Sequence, residues 1–438
     1  MLLVFSLAFA LMPLAGVFAA QAASGLSVEQ TQEGIAYSFS VPGREFVCLQ
    51  YQNRNEQGMM TLYSAQGLFQ GVLPMRYTQS PSNTQVTVLS PAQHHLMSAS
   101  IAFDVEATQA FVKAQPDAVN KVNDLTLTAG EKEMHWAFTA SGHETLMLQF
   151  SSVMQKGQLI ITAKDNGHFS GSLSLPNLYA RDLVTITIKD QKGRVLAKEK
   201  ERTLFIAPDP GETIKDGPLS GVIVCIDPGH QQAPVESKSI PVMPGSNKSV
   251  FSDGKSGMAQ GVVTFRKESI AALEISYLTC IELRKLGAEV YMTRWNEETG
   301  VTNLNRAGYA EEVGADYFIR VHLNMSARRD ADALYVYSPN TSPYAALVVD
   351  KQTYKNLAQA LLDAMKAETG VRHGVVRLSD KFIGNNWAKM PTFLVETGFM
   401  SAPANDVLLS HPVYQQRVAL GMAKGVIEME KVKAASLE

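Results

Sequence analysis

The sequence predicts a multidomain protein: two N-terminal all-β sandwich modules, Ig-like in size, followed by an α/β domain with a largely parallel sheet flanked by helices. Three observations lead to this fold class. The chain has 438 residues, enough for two or three domains. Its first half contains an internal repeat with a period of about 100 residues. Its second half alternates strand-like and helix-like segments, as α/β domains do.

The repeat carries the prediction of two β modules. The stretch from Tyr51 to Leu62 is echoed from Phe150 to Ile161, and Gly67–Leu73 is echoed by Gly167–Leu173. Short apolar-alternating runs between glycine turns are typical of antiparallel strands. We therefore expect one module over residues 24–106 and a second over 107–206. The start of the second, residues 107–123, is either a short helix or a linker.

The first 23 residues carry no charge and end in the small-residue pattern Ala20-Gln21-Ala22. This pattern predicts a cleaved secretory signal peptide, with an uncleaved membrane anchor as the alternative. Either reading places the protein outside the cytoplasm, secreted or in the cell envelope. A membrane association is expected only if the segment is retained.

Charge and cysteine content exclude several classes of protein. With 39 basic and 42 acidic residues the net charge is -3, so nothing indicates a nucleic-acid partner. The three cysteines, Cys48, Cys225 and Cys280, are too few and too scattered for a disulfide framework. We expect them to be small buried core residues.

A segment rich in proline, glycine and charge, residues 207–218, predicts a linker before an α/β domain at 219–431. Strands are predicted at 221–226, 288–293, 316–321, 333–338 and 392–396. Helices are predicted at 266–286, 303–313, 349–369 and 411–430. Ligands of open α/β sheets bind beyond the carboxyl ends of the strands, so chemically active residues at those ends are candidates for a site.

Four residues stand at such positions. His230 and His322 follow predicted strands, Glu396 ends one, and Glu268 opens a predicted helix. Two imidazoles and a carboxylate can hold one zinc ion with a position left for water. A further carboxylate can then act as general base.

Each of these residues also has a structural reading. A histidine after a strand is often a surface or core residue. Glu268 could simply stabilise the start of the helix, where a negative charge interacts favourably with the helix dipole. Glu396 could be a solvated strand end, although its apolar neighbours argue for a partner or a role. Asp227 could accept the second imidazole N–H of a metal ligand, or cap the Asp-Pro-Gly turn.

Four motifs together resemble a known family. They are IDPGH at 226–230, KES at 267–269, LNRAGYAEEVGADYFIRVHLN at 304–324 and MPTFLVETGFMSAPAND at 390–406. In combination they are similar to the zinc-dependent N-acetylmuramoyl-L-alanine amidases of the third amidase class, which cleave peptidoglycan. The resemblance covers about residues 221–430. It implies that His230, Glu268 and His322 hold zinc and that Glu396 is catalytic.

The sequence departs from that family in two places. The segment 231–267 is long and rich in proline, glycine and serine, so we expect it to border the cleft as a functional loop. Arg320-Val-His-Leu-Asn stands where the family usually has Ser-Ile-His-Ala-Asn.

The predicted function is that of a secreted zinc amidase that hydrolyses the bond between N-acetylmuramic acid and L-alanine of the peptidoglycan stem peptide. The alternatives are a non-catalytic cell-wall-binding protein and a zinc peptidase acting on other peptides. The β modules are either spacers or units that target the enzyme to the cell wall or to a partner protein.

Overall fold

A computed structural model describes most of the chain. The predicted signal peptide and most of residues 107–123 lie outside the described residues. Within the described part, no helix combines the length and the apolar character needed to cross a membrane. The described residues are 25–31, 34–53, 56–73, 82–103, 121–130, 133–141, 145–153, 155–163, 167–174, 182–190, 192–203, 209, 211–233, 235, 238–251 and 258–436.

The N-terminal region is all-β, as predicted. Within the described residues, its strands come in two successive sets of seven. The first set is β1 (Ser27–Thr31), β2 (Gly34–Ser40), β3 (Phe46–Gln52), β4 (Glu56–Tyr63), β5 (Leu68–Leu73), β6 (Ser82–Leu89) and β7 (His95–Phe103). The second set is β8 (Val122–Ala129), β9 (Glu133–Ala140), β10 (Thr145–Ser151), β11 (Gln155–Thr162), β12 (His168–Ser174), β13 (Leu183–Lys189) and β14 (Val195–Arg202).

The two sets repeat the same arrangement. In the first, a three-stranded sheet in the order β1-β2-β5 packs against strands β4-β3-β6-β7 around a core that includes Phe39, Leu49 and Val86. In the second, β12-β9-β8 packs against β14-β13-β10-β11 around Phe138, Leu148 and Ile186. The Ig-like classification and the boundaries of the modules stay predictions.

The two sets are joined through one continuous sheet. Strands β4 and β11 pair antiparallel, with Glu56 opposite Gly157 and Gly58 opposite Gln155. The pairing completes an eight-stranded sheet in the order β14-β13-β10-β11-β4-β3-β6-β7. Because hydrogen bonds cross from one set to the other, the two sets of strands are not separate modules joined only by a linker.

The second half is the predicted α/β unit. Its strands are β15 (Ile223–Pro228), β16 (Ser239–Pro241), β17 (Ser249–Phe251), β18 (Glu289–Met292), β19 (Tyr317–Asn324), β20 (Leu334–Ser338), β21 (Gly374–Leu378) and β22 (Thr392–Phe399). Its helices are α1 (Glu268–Lys285), α2 (Asn303–Glu312), α3 (Pro343–Val348), α4 (Lys351–Thr369), α5 (Ile383–Trp387), α6 (Pro403–Leu409) and α7 (Pro412–Ala435).

The six-stranded sheet of this half, in the order β18-β15-β19-β22-β20-β21, is mixed. Strand β20 runs antiparallel to β22, whereas the other neighbours are parallel. The cause is the connection 325–333, which contains no helix. A parallel return requires a crossover of a dozen or more residues, so the chain leaves the sheet edge after β19 and re-enters it in the opposite direction.

Alternating residues of the strands pack into two core layers, one on each face of the sheet. Val224 and Ile226 of β15 pack with the α1, α4 and α7 side. Cys225, between them, packs on the other face with Ala307 and Ala310 of α2. The prediction for the cysteines is confirmed, because Cys48, Cys225 and Cys280 are free thiols in buried positions.

The β region contacts the α/β half at the start of α7. Phe46 is buried in the same core cluster as the α/β residues, and its ring meets the His411 ring edge-on at 5.1 Å. The guanidinium of Arg417 forms hydrogen bonds of 2.8 and 2.9 Å with the Glu45 carboxylate. It also lies 5.9 Å from the ring centroids of Phe46 and Tyr63. We call Glu45, Phe46, Tyr63, His411 and Arg417 the docking contact.

Candidate metal centre

The first histidine is presented by a strained turn. Strand β15 ends at Pro228, and His230 adopts a positive φ of 55, which is uncommon for a residue with a side chain. Gly229 leaves the room that this turn needs, since a Cβ there would lie 2.5 Å from the His322 ring. The Gly229 N–H donates to the Val321 carbonyl at 2.8 Å. The turn therefore brings His230 against the strand that carries His322.

Glu268 is the first residue of α1, and its carboxylate points between the two imidazoles. Its Oε1 lies 3.0 Å from Nδ1 of His322, and its Oε2 lies 3.2 Å from Nε2 of His230. The backbone N–H groups of Leu323 and Ala259 donate to the same two oxygens at 3.0 and 2.7 Å. A residue that only capped a helix dipole would not be held this way, so Glu268 belongs to the site.

His230, Glu268 and His322 form a group able to hold a metal ion. One potential ligand atom from each lies within 4.8 Å of the others, and the two imidazole rings are 4.9 Å apart at 77°. Nε2 of His322 is buried and has no hydrogen-bond partner among the described residues. A buried polar atom without a partner is unfavourable, and a donor set of two nitrogens and one oxygen suits zinc. These residues therefore fit the predicted ion.

The protonation states also favour metal binding. Burial is the main cause that lowers the pKa of His322 to about 4, so its imidazole is neutral at neutral pH. Burial alone would raise the pKa of Glu268, but hydrogen bonds from His230 and His322 hold it below the usual range of a carboxyl group. Neutral imidazole and ionised carboxylate are the forms that bind metals.

Glu396 lies beside this group on the next strand. It is the register partner of His322 in the pairing of β19 with β22. Its Oε2 is buried without a hydrogen-bond partner among the described residues. Burial, and then the charge of Glu268, raise the pKa of Glu396 to about 8. A carboxyl group with such a pKa in a cleft is a candidate for proton transfer.

Asp227 has a different role from both predicted ones. Its fully buried carboxylate accepts hydrogen bonds from Thr293 Oγ1 at 2.5 Å, Arg306 Nη1 at 2.5 Å and Arg320 Nε at 2.8 Å. Of the two alternatives that the sequence left open, the bond to an imidazole is not formed among the described residues. Asp227 instead anchors the turn before His230 through a buried ion cluster with two arginines.

The same cluster gives Arg320 a role that the sequence did not reveal. Besides Asp227, its guanidinium donates to Asn303 Oδ1 at 2.6 Å and to Asn385 Oδ1 at 3.3 Å. Asn303 opens α2, whose N-terminus is fixed by a capping box of Thr302 and Asn305. Arg320 therefore links β19, β15, α2 and α5 directly beneath the site.

The site lies in a cleft of about 530 Å³. One rim is the β16–β17 hairpin of the 231–267 segment, which contributes Val250 to the lining. The hairpin is held against α5, because Trp387 Nε1 donates to the Pro241 carbonyl and Asn386 Nδ2 to the Val242 carbonyl, both at 2.9 Å. Besides Val250, the cleft is lined by His230, Glu268, Asn303, Arg306, Arg320, His322, Leu323, Asn324, Met325, Lys381, Phe382, Ile383, Leu394 and Glu396.

Comparison with known proteins agrees with the motifs. The family model described as N-acetylmuramoyl-L-alanine amidase matches residues 224–428. The germination-specific N-acetylmuramoyl-L-alanine amidase of Bacillus subtilis (strain 168) is 26% identical over 227 residues, which cover 48% of this chain and 80% of the relative. The N-acetylmuramoyl-L-alanine amidase LytC of the same organism is 25% identical over 210 residues, covering 48% of this chain and 36% of the relative. Among solved structures, an N-acetylmuramoyl-L-alanine amidase of Nostoc punctiforme is 25% identical with a TM-score of 0.37, covering 48% of this chain and 99% of that chain.

Proposed function

We propose that the protein is a zinc-dependent peptidoglycan amidase that acts outside the cytoplasm, because residues 224–428 match the family model described as N-acetylmuramoyl-L-alanine amidase. Its substrate is the amide bond between the lactyl group of N-acetylmuramic acid and L-alanine of the stem peptide. The observation that carries the proposal is the convergence of His230, Glu268 and His322 beside the buried, unpartnered carboxyl oxygen of Glu396.

In this proposal His230, Glu268 and His322 hold one zinc ion. When bound, zinc lowers the pKa of a coordinated water toward ~7 and polarises a carbonyl group. The contacts of Glu268 with Leu323 and Ala259 keep its carboxylate aimed between the two imidazoles. The Asp227 cluster beneath fixes the strand ends that carry the histidines. The three ligands are thus positioned in advance, which limits the reorganisation needed during the reaction.

Glu396 is the proposed general base and acid. In its ionised form it removes a proton from the attacking water, and it then passes that proton to the amine nitrogen that leaves with L-alanine. Its raised pKa would leave it largely protonated at neutral pH. A divalent cation held by the neighbouring ligands would favour the ionised form of Glu396, since a nearby opposite charge lowers a carboxyl pKa.

The proposal is tested by metal analysis of the purified protein together with digestion of purified peptidoglycan. We expect about one zinc per chain and products with a free lactyl carboxyl group and a new L-alanine N-terminus. Products cut within the stem peptide, with the lactyl amide intact, would identify a peptidase instead. A chain that binds cell walls without releasing either product would be a binding protein.

We also propose that the β region targets the enzyme to the wall or to a wall-associated partner. Tethering raises the effective concentration of substrate without new catalytic contacts. The test uses the Glu396→Gln chain, so that digestion does not release the bound protein. This chain and a fragment of residues 24–209 should both co-sediment with cell walls. Co-sedimentation of the full chain but not of the fragment would assign wall binding to the α/β half.

A further inference from the structure

The face of the sheet that carries Glu396 continues onto strands β20 and β21. Tyr335 is the register partner of Glu396, and Tyr337 is the register partner of Leu394, a cleft-lining residue. Directly opposite residues of neighbouring strands project from the same face of a sheet. Leu334 and Val336, which alternate with the tyrosines, are fully buried in the core on the α4 side. Both tyrosines therefore project from the same face as Glu396, where they are partly exposed.

Aromatic rings form a continuous surface here. The rings of Tyr335 and Tyr337 are stacked, with centroids 5.9 Å apart and planes inclined by 11°. Phe382, which lines the metal cleft, meets Tyr337 edge-on at 5.0 Å. Phe399 supports Tyr335 edge-on at 5.9 Å. Such a surface offers rigid apolar contact area at little cost in side-chain entropy.

Two cations border this surface. The guanidinium of the exposed Arg377 lies 5.5 Å from the ring centroid of Tyr335. Lys381, also exposed, lines the metal cleft. Within the described chain neither side chain forms an ion pair. The nearby carboxylate of Asp380 is occupied by the backbone N–H groups of Asn340 and Thr341 and by the Thr341 hydroxyl.

The position of Glu396 fixes which part of a substrate reaches this surface. Glu396 lies between His322 on β19 and Tyr335 on β20, its register partners on either side. If Glu396 protonates the leaving nitrogen, that nitrogen lies beside Glu396, and the chain attached to it continues away from the metal ligands. Neighbouring strands are about 4.8 Å apart, so a leaving peptide that extends from Glu396 toward β20 would place its first residues over Tyr335 and Tyr337.

We propose that Tyr335, Tyr337 and Phe382, together with Arg377 and Lys381, form a subsite for the leaving stem peptide that recognises a free carboxylate on one of its first residues. The inference rests on the proposed amidase function and deepens it. The rings support the peptide, and the two cations select an acidic residue over its uncharged amide. Arg377 and Lys381 are specificity residues in this proposal, and Glu396 remains the group that moves the proton.

The test compares two synthetic muropeptides that differ in one carboxylate. One carries N-acetylmuramoyl-L-alanine followed by D-glutamate with a free α-carboxylate, and the other carries the corresponding amide. The zinc-loaded wild-type chain should prefer the acid in kcat/KM. Arg377→Gln and Lys381→Met should each reduce that preference about fivefold, the scale of a partly exposed ion pair. The exposed residues Arg372 and Lys351 provide matched controls, Arg372→Gln and Lys351→Met, which should leave the preference unchanged.

A binding measurement separates this proposal from the proposed function. The free dipeptide L-alanyl-D-glutamate and its amide are titrated calorimetrically into the same chains. We expect the acid to bind more tightly, and the difference to shrink in Arg377→Gln and Lys381→Met. Equal kcat/KM and equal binding of acid and amide in wild type and variants would overturn the subsite while leaving the amidase in place. If neither muropeptide is cleaved but the variants still weaken binding of the acid, the subsite stands and the proposed reaction fails.

Discussion

The Asp227 carboxylate accepts a hydrogen bond of 2.8 Å from Nε of Arg320, across the pairing of β15 with β19. Asp227 opens the Asp-Pro-Gly turn that leads into His230, and Arg320 lies two residues before His322. The ion pair therefore connects the two strands that present the imidazoles. It also accounts for Arg320, which stands where the family that the sequence motifs resemble usually has serine.

Asp227→Asn should destabilise the α/β half by roughly 3–5 kcal/mol, because it leaves Arg306 and Arg320 buried without a counter-charge. Arg320→Met should cost less, since Arg306 still pairs with Asp227. Burial opposes ionisation of Asp227, but the two arginines hold its pKa below the usual carboxyl range. The stability that the ionised Asp227 carboxylate contributes is thus complete above about pH 3.9. It is lost only as the pH falls through the lower folded-state pKa. Chemical unfolding of both variants tests whether Asp227→Asn loses more stability than Arg320→Met. The exposed pair Arg328–Asp330 is the control, since removing it should cost almost nothing.

His230→Ala and His322→Ala should each lose bound zinc and activity together, because the two remaining ligands hold the ion poorly. Elemental analysis after gel filtration measures the loss. His373→Ala, an exposed histidine of the same half, is the control and should retain the ion. Stoichiometric zinc in either of the first two variants would remove that histidine from the ligand set.

Glu396→Gln should keep zinc and the fold while losing about 100-fold or more in rate, the scale of general acid–base catalysis. The amide has nearly the same size but cannot accept the proton from water. Thermal unfolding and zinc content provide the controls for structure. Near-normal turnover by this variant would mean that the base lies elsewhere.

Reversal of one charge in the docking contact should loosen the β region from the α/β half. Glu45→Arg places two cations together, and Arg417→Glu also removes the cation that lies over Phe46 and Tyr63. Each should weaken docking by about 1 kcal/mol, with the double exchange recovering part of the loss. Limited proteolysis of residues 203–218 reports on docking. Equal cleavage rates in the wild type and both single variants would show that the ion pair contributes nothing.

Docking should also weaken in mild acid. His411 packs against Phe46, and its Nδ1 accepts the Val413 N–H at the start of α7. Burial lowers the pKa of His411 to about 4. Its folded-state pKa is therefore depressed, and the stability it contributes is present above the unfolded value of about 6.5 and lost between there and about 4. His411→Asn keeps a capping acceptor but cannot become charged, so proteolysis of that variant should depend less on pH. An unchanged pH profile would exclude His411 as the cause.

Local pattern was enough to predict much of this protein. Period-two and helical patterns indicate the all-β and α/β halves, because each element must bury one face. Four motifs pointed to His230, Glu268, His322 and Glu396, since strand ends of an α/β sheet meet at one edge. The structure brings those side chains together, while their roles as ligands and base stay predictions.

Tertiary structure decided the rest, because it depends on which distant residues meet. The pairing of β4 with β11 joins two repeats through three register pairs, and no local pattern encodes that choice. The antiparallel direction of β20 follows from the helix-free connection before it. The sequence contains this connection, but its effect on strand direction can be inferred only once the strand order is known. The partners of Asp227 lie 66, 79 and 93 residues away. A buried charge requires compensation, but the chain alone does not say which arginine supplies it, since that depends on the packing of α2 and β19 around it.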